Sequence, residues 1–274
     1  MELTQLRYFQ TAAYYQHISR AAEELNISQP ALSTMISRLE KELGVPLFDH
    51  NGRSIILNQN GQRFLQRVNH ILMEVENSKR ELQDIADEGD NSISLAVSSS
   101  QFLQGMHAFM YQHPNYKWNQ RVAENKEIAA LLNRGQIDLA VTSPGIYGEV
   151  FESTLLLRDI FKLAVHKDNP LAQRKSVRLE ELTDQRFIML LKGLPFRAQT
   201  DRIFADLGIT PHYIMECDHL LRRELINANA GVTIASQSAS FRHLFSENIR
   251  FLDIEDVHHT RDIVMVHRKG RYLN

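Results

Sequence analysis

The side chains best suited to molecular recognition lie between Gln29 and Arg38, where short hydroxyl groups stand in place of the Lys and Glu residues that usually solvate an exposed helix face. Short side chains let a helix lie deep in the major groove of DNA, where glutamine and arginine can bind base edges or phosphates. The pattern therefore predicts a recognition helix. Its candidate DNA-binding residues are Ser28, Gln29, Pro30, Ser33, Thr34, Ser37 and Arg38, together with Arg53 from a following hairpin.

Two helices and a hairpin are predicted to position these residues. A short support helix is expected over residues 18–25, and Ser28 suits the N-cap of the recognition helix, which tolerates Pro30 in its first turn. The inward stripe of that helix consists of Leu32, Ile36, Leu39 and Leu43. The pair Asn51-Gly52 is typical of a two-residue turn, so the flanking strands are expected to form a hairpin that presents Arg53.

The charge of this segment argues against tight binding to DNA by one copy of the chain. The cations of residues 1–58 are Arg7, Arg20, Arg38, Lys41 and Arg53, and the anions are Glu2, Glu23, Glu24, Glu40, Glu42 and Asp49. Because neutralisation of phosphates dominates affinity for nucleic acids, useful binding should need two or more copies on spaced half-sites. A helical hairpin that only packs, or that contacts protein, is the alternative interpretation.

A long helix after the hairpin could join two copies. Its apolar positions alternate in steps of four and three residues, which predicts a heptad seam. The seam consists of Val68, Ile71, Val75, Ser78, Leu82 and Ile85. An amphipathic helix docked on its own domain is the alternative, and the polar segment 87–91 is expected to form a hinge after the helix.

Beyond Ser92, apolar runs alternate with helical stretches, which predicts two α/β lobes with buried parallel strands. The expected strands cover residues 93–97, 137–141, 161–165, 187–191, 213–215, 232–235 and 263–266. The expected helices include residues 102–110, 128–132, 200–207 and 220–228. In such sheets a ligand binds beyond the carboxyl ends of the strands, so the loops at those ends are the candidate site.

Three of these loops carry polar or charged groups that suit a small acid. Free backbone N–H groups at a helix start, joined by hydroxyls, favour an anion. The candidate residues are Ser98, Ser99, Ser100, Gln101, Thr142, Ser143, Lys192, Phe196 and Arg197. As the alternative, the hydroxyl residues are ordinary helix caps, and Lys192 and Arg197 are plain surface charges.

The N-terminal residues resemble the LysR-type transcriptional regulators of bacteria, and the likeness extends over nearly the whole chain. It is strongest at Ala21, Ala22, Leu25, residues 28–33, Ile36, Leu39, Glu40, residues 43–48, Arg53 and Gly61. The resemblance implies that Gln29, Pro30, Ser33 and Thr34 face the groove and that Arg53 is the wing residue. Many relatives carry a basic residue where this chain has Thr34.

The resemblance also implies an α+β multidomain architecture. We expect a winged helix-turn-helix domain over residues 1–58, a linker and dimerisation helix over residues 59–88, and an effector-binding domain over residues 92–274 similar to type 2 periplasmic binding proteins. Lobe 1 would comprise about 92–162 plus 264–274, and lobe 2 about 163–263. The expected partners are promoter DNA, a second copy in a dimer or tetramer, RNA polymerase and a small effector such as an organic acid or another anion.

Other chemistries find little support in the sequence. Cys217 is the sole cysteine, which excludes an intramolecular disulfide and favours a buried, inert thiol. The twelve histidines lack metal-ligand spacings and are expected to be mostly solvated. No phosphate-binding glycine loop or nucleophile elbow occurs, so we expect neither a cofactor nor enzyme activity. No signal peptide or apolar run of membrane-spanning length is found, which predicts a cytoplasmic protein.

Two rival functions are tested by simple assays. A solute-binding protein that uses its N-terminal domain only for assembly would bind a ligand without selecting a DNA sequence. An α/β enzyme would turn over a substrate. The 274 residues, 43% of them hydrophobic, with a net charge of −2, allow two or three cores but do not choose between these functions.

Overall fold

The computed structural model describes residues 1–51, 54–85, 91–103, 106–236 and 245–272. The chain divides into two compact units. The first comprises Met1–Ser94, Ala129–Asp138 and Arg268–Asn274, and the second comprises Leu95–Ile128 and Leu139–His267. These two units differ from the domains and lobes expected from the sequence, whose limits stay predictions.

The N-terminal part of the first unit has the predicted order of helices and strands. Its elements are α1 (Leu3–Tyr15), α2 (Ile18–Glu24), α3 (Gln29–Leu43), β1 (Phe48–Asn51), β2 (Ser54–Leu57) and α4 (Gln59–Ile85). One apolar core joins them, and its fully buried side chains include Phe9, Leu32, Leu39, Leu47 and Val68. The stripe predicted for the recognition helix accounts for its buried face, since Leu32, Ile36 and Leu39 are buried.

Local sequence explains the boundaries of α3. The Ser28 side chain accepts a hydrogen bond from the Ala31 backbone N–H at 3.3 Å, as expected of an N-cap, and Pro30 stands in the first turn. The helix ends at Gly44, whose φ of 72° is a left-handed conformation that glycine adopts without strain.

The hairpin turn begins one residue later than predicted. Strands β1 and β2 are antiparallel, with Phe48 opposite Leu57 and Asn51 opposite Ser54, so Asn51 belongs to the strand. The prediction that Asn51 occupies the turn is therefore wrong. The register is fixed at the base of the hairpin, where Asn58 donates from its backbone N–H to the Leu47 carbonyl at 3.1 Å. Arg53, the predicted wing residue, lies outside the described residues.

Helix α4 runs from Gln59 to Ile85, in agreement with the predicted long helix. The residues of the predicted seam differ in exposure. Val68 is buried in the core of the first unit, whereas Ile71 and Leu82 are exposed. The helix therefore docks on its own unit through Val68 and Leu72 and leaves part of the seam uncovered. The predicted hinge lies mostly outside the described residues.

The rest of the chain alternates strands and helices. The strands are β3 (Ser92–Val97), β4 (Lys117–Val122), β5 (Leu139–Thr142), β6 (Phe151–His166), β7 (Ser176–Val177), β8 (Phe187–Leu190), β9 (Tyr213–Cys217), β10 (Thr233–Ser236), β11 (Ile249–Ile254) and β12 (Thr260–Arg268). The helices are α5 (Met106–Gln112), α6 (Asn125–Asn133), α7 (Pro195–Asp206) and α8 (His219–Asn227).

The expectation of purely parallel strands is wrong. An eight-stranded sheet has the order β4-β3-β5-β12-β6-β11-β7, and β10 also pairs with β6. Strands β3 and β5 are parallel, as are β8 and β9, but β12 runs antiparallel to β5, and β6 runs antiparallel to both β10 and β11. The connections at 143–150, before β6, and at 255–259, before β12, contain no helix, whereas a parallel neighbour needs a helical crossover.

Candidate functional site

The outer face of α3 presents the polar residues that the sequence singles out. Gln29, Pro30, Thr34, Ser37 and Arg38 are exposed, together with the cap residue Ser28, and Ser33 is half-buried. Opposite them, the buried stripe fixes the helix against α1 and α2. A helix held in this way can offer one face to a groove as a rigid unit.

Two of these hydroxyl groups already have partners within the chain. The Ser28 oxygen accepts the Ala31 N–H, and the Thr34 hydroxyl donates to the Pro30 carbonyl at 2.8 Å. Ser28 thus stabilises the start of the helix, and Thr34 keeps its oxygen lone pairs and its methyl group available to a ligand. The amide of Gln29 and the guanidinium of Arg38 are the larger hydrogen-bonding groups on this face.

A second candidate site is a cavity of about 130 Å³ in the second unit. It is lined by Ser98, Ser99, Ser100, Phe102, Val122, Leu194, Pro195, Phe196, His219 and Arg261. The loop after β3 and the start of α7 thus meet at one cavity, as expected of strand-to-helix junctions. His219 at the start of α8 and Arg261 in β12 complete the wall.

Hydrogen bonds tie the hydroxyl loops to Arg261. The Ser98 hydroxyl accepts from the backbone N–H of Ser143 at 3.1 Å. The Ser143 hydroxyl in turn accepts from Arg261 Nε at 3.2 Å and from Gln199 Nε2 at 3.4 Å. Ser143 therefore positions the guanidinium beside the cavity rather than lining it.

Arg261 carries a positive charge in an apolar setting. The residue is buried, and its guanidinium carbon lies 5.1 Å from the ring centre of Phe102 and 4.8 Å from that of Phe196. Burial lowers the pKa of Arg261 to about 10, and Asp159 opposes this effect. The side chain is still protonated at neutral pH, so the aromatic faces stabilise a full cation.

Arg222 adds a second positive charge near the cavity, and His219 adds a neutral imidazole. Burial lowers the pKa of Arg222 to about 10, and this guanidinium lies 5.6 Å from the Phe196 ring centre. Burial, assisted by Arg222 and Arg261, lowers the pKa of His219 to about 4, so its ring is neutral at pH 7. The Nδ1 atom of His219 is buried and has no hydrogen-bond partner among the residues that the structure describes. The cavity is thus suited to an anion that also accepts or donates a hydrogen bond at His219.

Two family models match the chain. The model of the "LysR substrate binding domain" matches residues 87–274, and that of the "Bacterial regulatory helix-turn-helix protein, lysR family" matches residues 3–62. The chain belongs to the LysR family. The expected family and fold class are therefore confirmed: this LysR-type transcriptional regulator has an N-terminal helix-turn-helix and a C-terminal effector-binding domain.

Relatives and solved structures agree with this assignment. The chain is 36% identical over 220 residues to the uncharacterized HTH-type transcriptional regulator YybE of Bacillus subtilis, covering 79% of this chain and 75% of YybE. It is 30% identical to YtlI of the same organism, over 87% of this chain and 79% of YtlI. A full-length OxyR variant from Pseudomonas aeruginosa has a TM-score of 0.66 at 21% identity, over 99% of this chain and 90% of that one. Full-length CbnR in complex with its target DNA has a TM-score of 0.54 at 25% identity, over 98% of this chain and 94% of that one.

The cavity of this LysR-type regulator includes only some of the predicted effector residues. Ser98, Ser99, Ser100 and Phe196 line it. Thr142 and Ser143 are buried next to the strand ends, and Gln101 is half-buried without lining the cavity. Lys192 is exposed and does not line it either.

Arg197 forms hydrogen bonds and ion pairs within the chain and does not line the cavity. Its Nε donates to Asp201 at 2.6 Å, and its Nη1 donates to Glu216 at 2.7 Å and to the Leu190 carbonyl at 2.5 Å. The side chain is buried and satisfied by two carboxylates. It therefore ties α7 to the β8–β9 pair.

Sequence reasoning missed Arg261, His219 and Phe102. Arg261 lies two positions before Ile263, and both are buried, so the alternation of β12 extends to it. His219 follows the N-cap Asp218 at the junction of β9 and α8, the same kind of junction that indicated the other loops. The expectation that the histidines are mostly solvated is wrong for His219, which is half-buried and lines the cavity.

Three remaining expectations concern chemistry outside these sites. Cys217 is buried, as expected, and burial raises the pKa of its thiol. Among the described residues, no group of three or more His, Cys, Asp or Glu side chains could hold a metal ion. None of the helices in the described ranges is long and apolar enough to cross a membrane.

Proposed function

We propose that α3 reads promoter DNA in the major groove through Gln29 and Arg38, with Pro30, Ser33, Thr34 and Ser37 forming the close contact surface. The observation that carries this proposal is the exposed, nearly uncharged face of a helix whose opposite face is fully packed. Ser28 acts through its cap. Arg53 binds the phosphate backbone or the minor groove from the wing.

The roles of Gln29 and Arg53 are separable by mobility-shift titration at several salt concentrations. Gln29→Ala should reduce discrimination between operator and scrambled DNA, because the amide binds a base edge. Arg53→Ala should weaken binding to both DNAs and lower the salt slope by about one unit. Gln83→Ala, an exposed change late in α4, is the control. Equal losses of selectivity in the Gln29 and Arg53 variants would contradict the assigned roles.

The exposed part of the α4 seam supports a dimer as the DNA-binding species. Ile71, Ser78 and Leu82 share that face, and Leu82 is 67% exposed in the single chain. A second copy would cover it and supply the second half-site that a weakly charged DNA-binding domain needs. Leu82→Asp should shift sedimentation toward the monomer, whereas Gln83→Asp should not. A dimer unaffected by Leu82→Asp would argue against this seam.

We further propose that the effector is a small carboxylate bound against Arg261, His219 and the Ser98–Ser100 loop. The cavity of about 130 Å³ is smaller than the pockets that hold drug-sized ligands. The effector should therefore have only a few heavy atoms beyond its acid group. The guanidinium supplies the fork that a carboxylate matches, and the serine loop supplies hydroxyl and backbone donors. Residues from both predicted lobes contribute, which supports a cleft between them.

A thermal-shift screen of small carboxylates at constant ionic strength tests this effector class. A carboxylate that binds only the folded state should raise the midpoint of the wild type. The shift should fall sharply in Arg261→Gln and partly in Arg261→Lys, which keeps the charge but loses the fork. Arg250→Gln removes an exposed arginine and is the control. A carboxylate that stabilises Arg261→Gln as much as the wild type would contradict the site.

Effector binding should change the complex with DNA. Saturation with the effector should alter the DNA footprint or the bend of the promoter. An effector that binds one conformation of the regulator more tightly shifts the population toward it, and DNA binding changes with that population. An unchanged footprint and bend would contradict this coupling between effector binding and DNA binding. RNA polymerase is the proposed downstream partner, and the bacterial cytoplasm, where promoters are, is the proposed location.

A further inference from the structure

A separate cavity of about 350 Å³ lies within the first unit. Four arginines line it, one from each of four segments: Arg7 in α1, Arg80 in α4, Arg134 after α6 and Arg271 after β12. The volume lies within the range of pockets that hold small molecules. We call it the arginine pocket.

The charges at the arginine pocket do not balance. Arg7 pairs with Glu76 at 2.8 Å, and Lys79 also approaches that carboxylate at 3.4 Å. Asp138 is shared by Arg80 at 2.6 Å and Arg271 at 2.8 Å. Lys79 adds a fifth cation, and Glu24 acts on Arg134 as a third carboxylate, so two formal positive charges are in excess among the residues that the structure describes.

Arg134 and Arg271 are only partly compensated by these carboxylates. Arg134 stacks on the Tyr14 ring, 3.7 Å from its centre, and burial lowers the pKa of its guanidinium. The Arg271 side chain is only 2% exposed, and its Nη2 serves Asp138 and the Gly135 carbonyl. Its Nε and Nη1 are buried and have no hydrogen-bond partner in the part of the chain that the structure describes. Buried donors without acceptors cost free energy, so an acceptor at this place would be strongly favoured.

We propose that the arginine pocket binds a small oxyanion with two negative charges, of the phosphate class. Arginine forks match the oxygens of a phosphate group, and two charges neutralise the excess. The anion would link α1, α4 and the segments that carry Arg134 and Arg271, so its binding would stabilise the first unit as a whole. This site lies in the other unit from the proposed carboxylate site and goes beyond the proposed function.

Titration calorimetry on the full-length protein tests the proposal, with sodium phosphate and glycerol 3-phosphate at constant ionic strength. Both should bind saturably. Tighter binding of the ester would identify a phosphorylated metabolite as the natural ligand, and equal or weaker binding would identify inorganic phosphate. An absence of saturable binding of either ligand up to about 10 mM, a standard free energy near −3 kcal/mol, would overturn the proposal.

Two variants remove charge from the pocket without stranding a buried carboxylate. Arg7→Gln leaves Glu76 paired with Lys79, and Arg134→Gln removes a guanidinium that stacks on Tyr14. Each should weaken binding by about tenfold or more, the change expected for one lost charged hydrogen bond. Arg67→Gln, an exposed change on α4, should have no effect. Wild-type affinity in both pocket variants would contradict the site.

Arg261→Gln separates this proposal from the proposed effector site. It should leave phosphate binding intact, whatever it does to carboxylate binding. If Arg261→Gln abolished phosphate binding while Arg7→Gln and Arg134→Gln kept it, the phosphate would occupy the cavity of the second unit. The arginine pocket would then be refuted and the effector proposal would stand.

Discussion

His219→Gln should make the second unit more resistant to acid. The pKa of the imidazole is lowered from 6.5 to about 4, first by burial and then by Arg222 and Arg261. Below pH 6.5 the unfolded chain binds a proton at this position that the folded chain does not bind. The free energy of unfolding contributed by His219 is therefore fully present above pH 6.5 and is lost as the pH falls toward 4.

The magnitude follows from the shift of about 2.5 pKa units between 6.5 and about 4. At about 1.36 kcal/mol per unit, acidification from pH 7 to pH 4 should cost the wild type roughly 3 kcal/mol through this one residue. Glutamine has no proton to gain in this range, so His219→Gln should lose about that much less stability on acidification.

Urea denaturation at a series of pH values measures the difference. The single tryptophan, Trp118, lies in β4 of the second unit, so its fluorescence reports on that unit. Leu220→Gln places the same new side chain one position along α8, where Leu220 is 62% exposed, and should keep the wild-type pH dependence. Parallel loss of stability in the wild type and in His219→Gln would refute the assignment of a neutral, half-buried imidazole.

Three further substitutions have expected outcomes that follow from packing. Leu32→Ala removes a fully buried side chain from α3 and should lower the free energy of unfolding of the first unit by about 2–5 kcal/mol in urea titrations, whereas the exposed change Gln83→Ala should not. Gly61→Ala would place a Cβ atom 2.1 Å from the Leu47 carbonyl oxygen, so the same assay should show a loss of about 1–3 kcal/mol; wild-type stability would mean that the backbone can move apart there. Arg197→Met leaves Asp201 and Glu216 without their cation and should destabilise the second unit by about 3 kcal/mol, with unchanged carboxylate affinity in the folded protein; a selective loss of affinity would instead place Arg197 in the site.

The N-terminal elements were predictable because local signals agree there with tertiary packing. Ser28 as a cap, the buried stripe through Leu32 and Leu39, and Gly44 at the end define α3 from short-range sequence alone. The hairpin turn was misplaced by one position, because the pairing of the two strands runs from the Asn58–Leu47 hydrogen bond to Asn51 opposite Ser54. The preference of a residue pair for a turn therefore determines the register of a hairpin less firmly than the pairing along its strands.

The effector site was less predictable because its groups are distant in sequence. Hydroxyl loops after strands can be recognised locally, and Ser98 and Phe196 do reach one cavity. Arg261 belongs to β12, whose expected range began only at residue 263 and which runs antiparallel to β5 instead of parallel. Arg197 fits the pattern of an anion ligand in the sequence, but its two carboxylate partners become neighbours only after α7 and β9 pack.

The carboxylate of Glu40 couples the two parts of the DNA-binding segment. From the inner side of α3, its Oε1 atom accepts the backbone N–H groups of Leu47 at 2.8 Å and of Phe48 at 3.2 Å. The strand that follows is thereby tied to α3, so on a curved duplex bound as proposed the helix and this strand would tilt together. A promoter whose grooves differ in width from the best operator can then be rejected through geometry alone, at base pairs that no side chain touches.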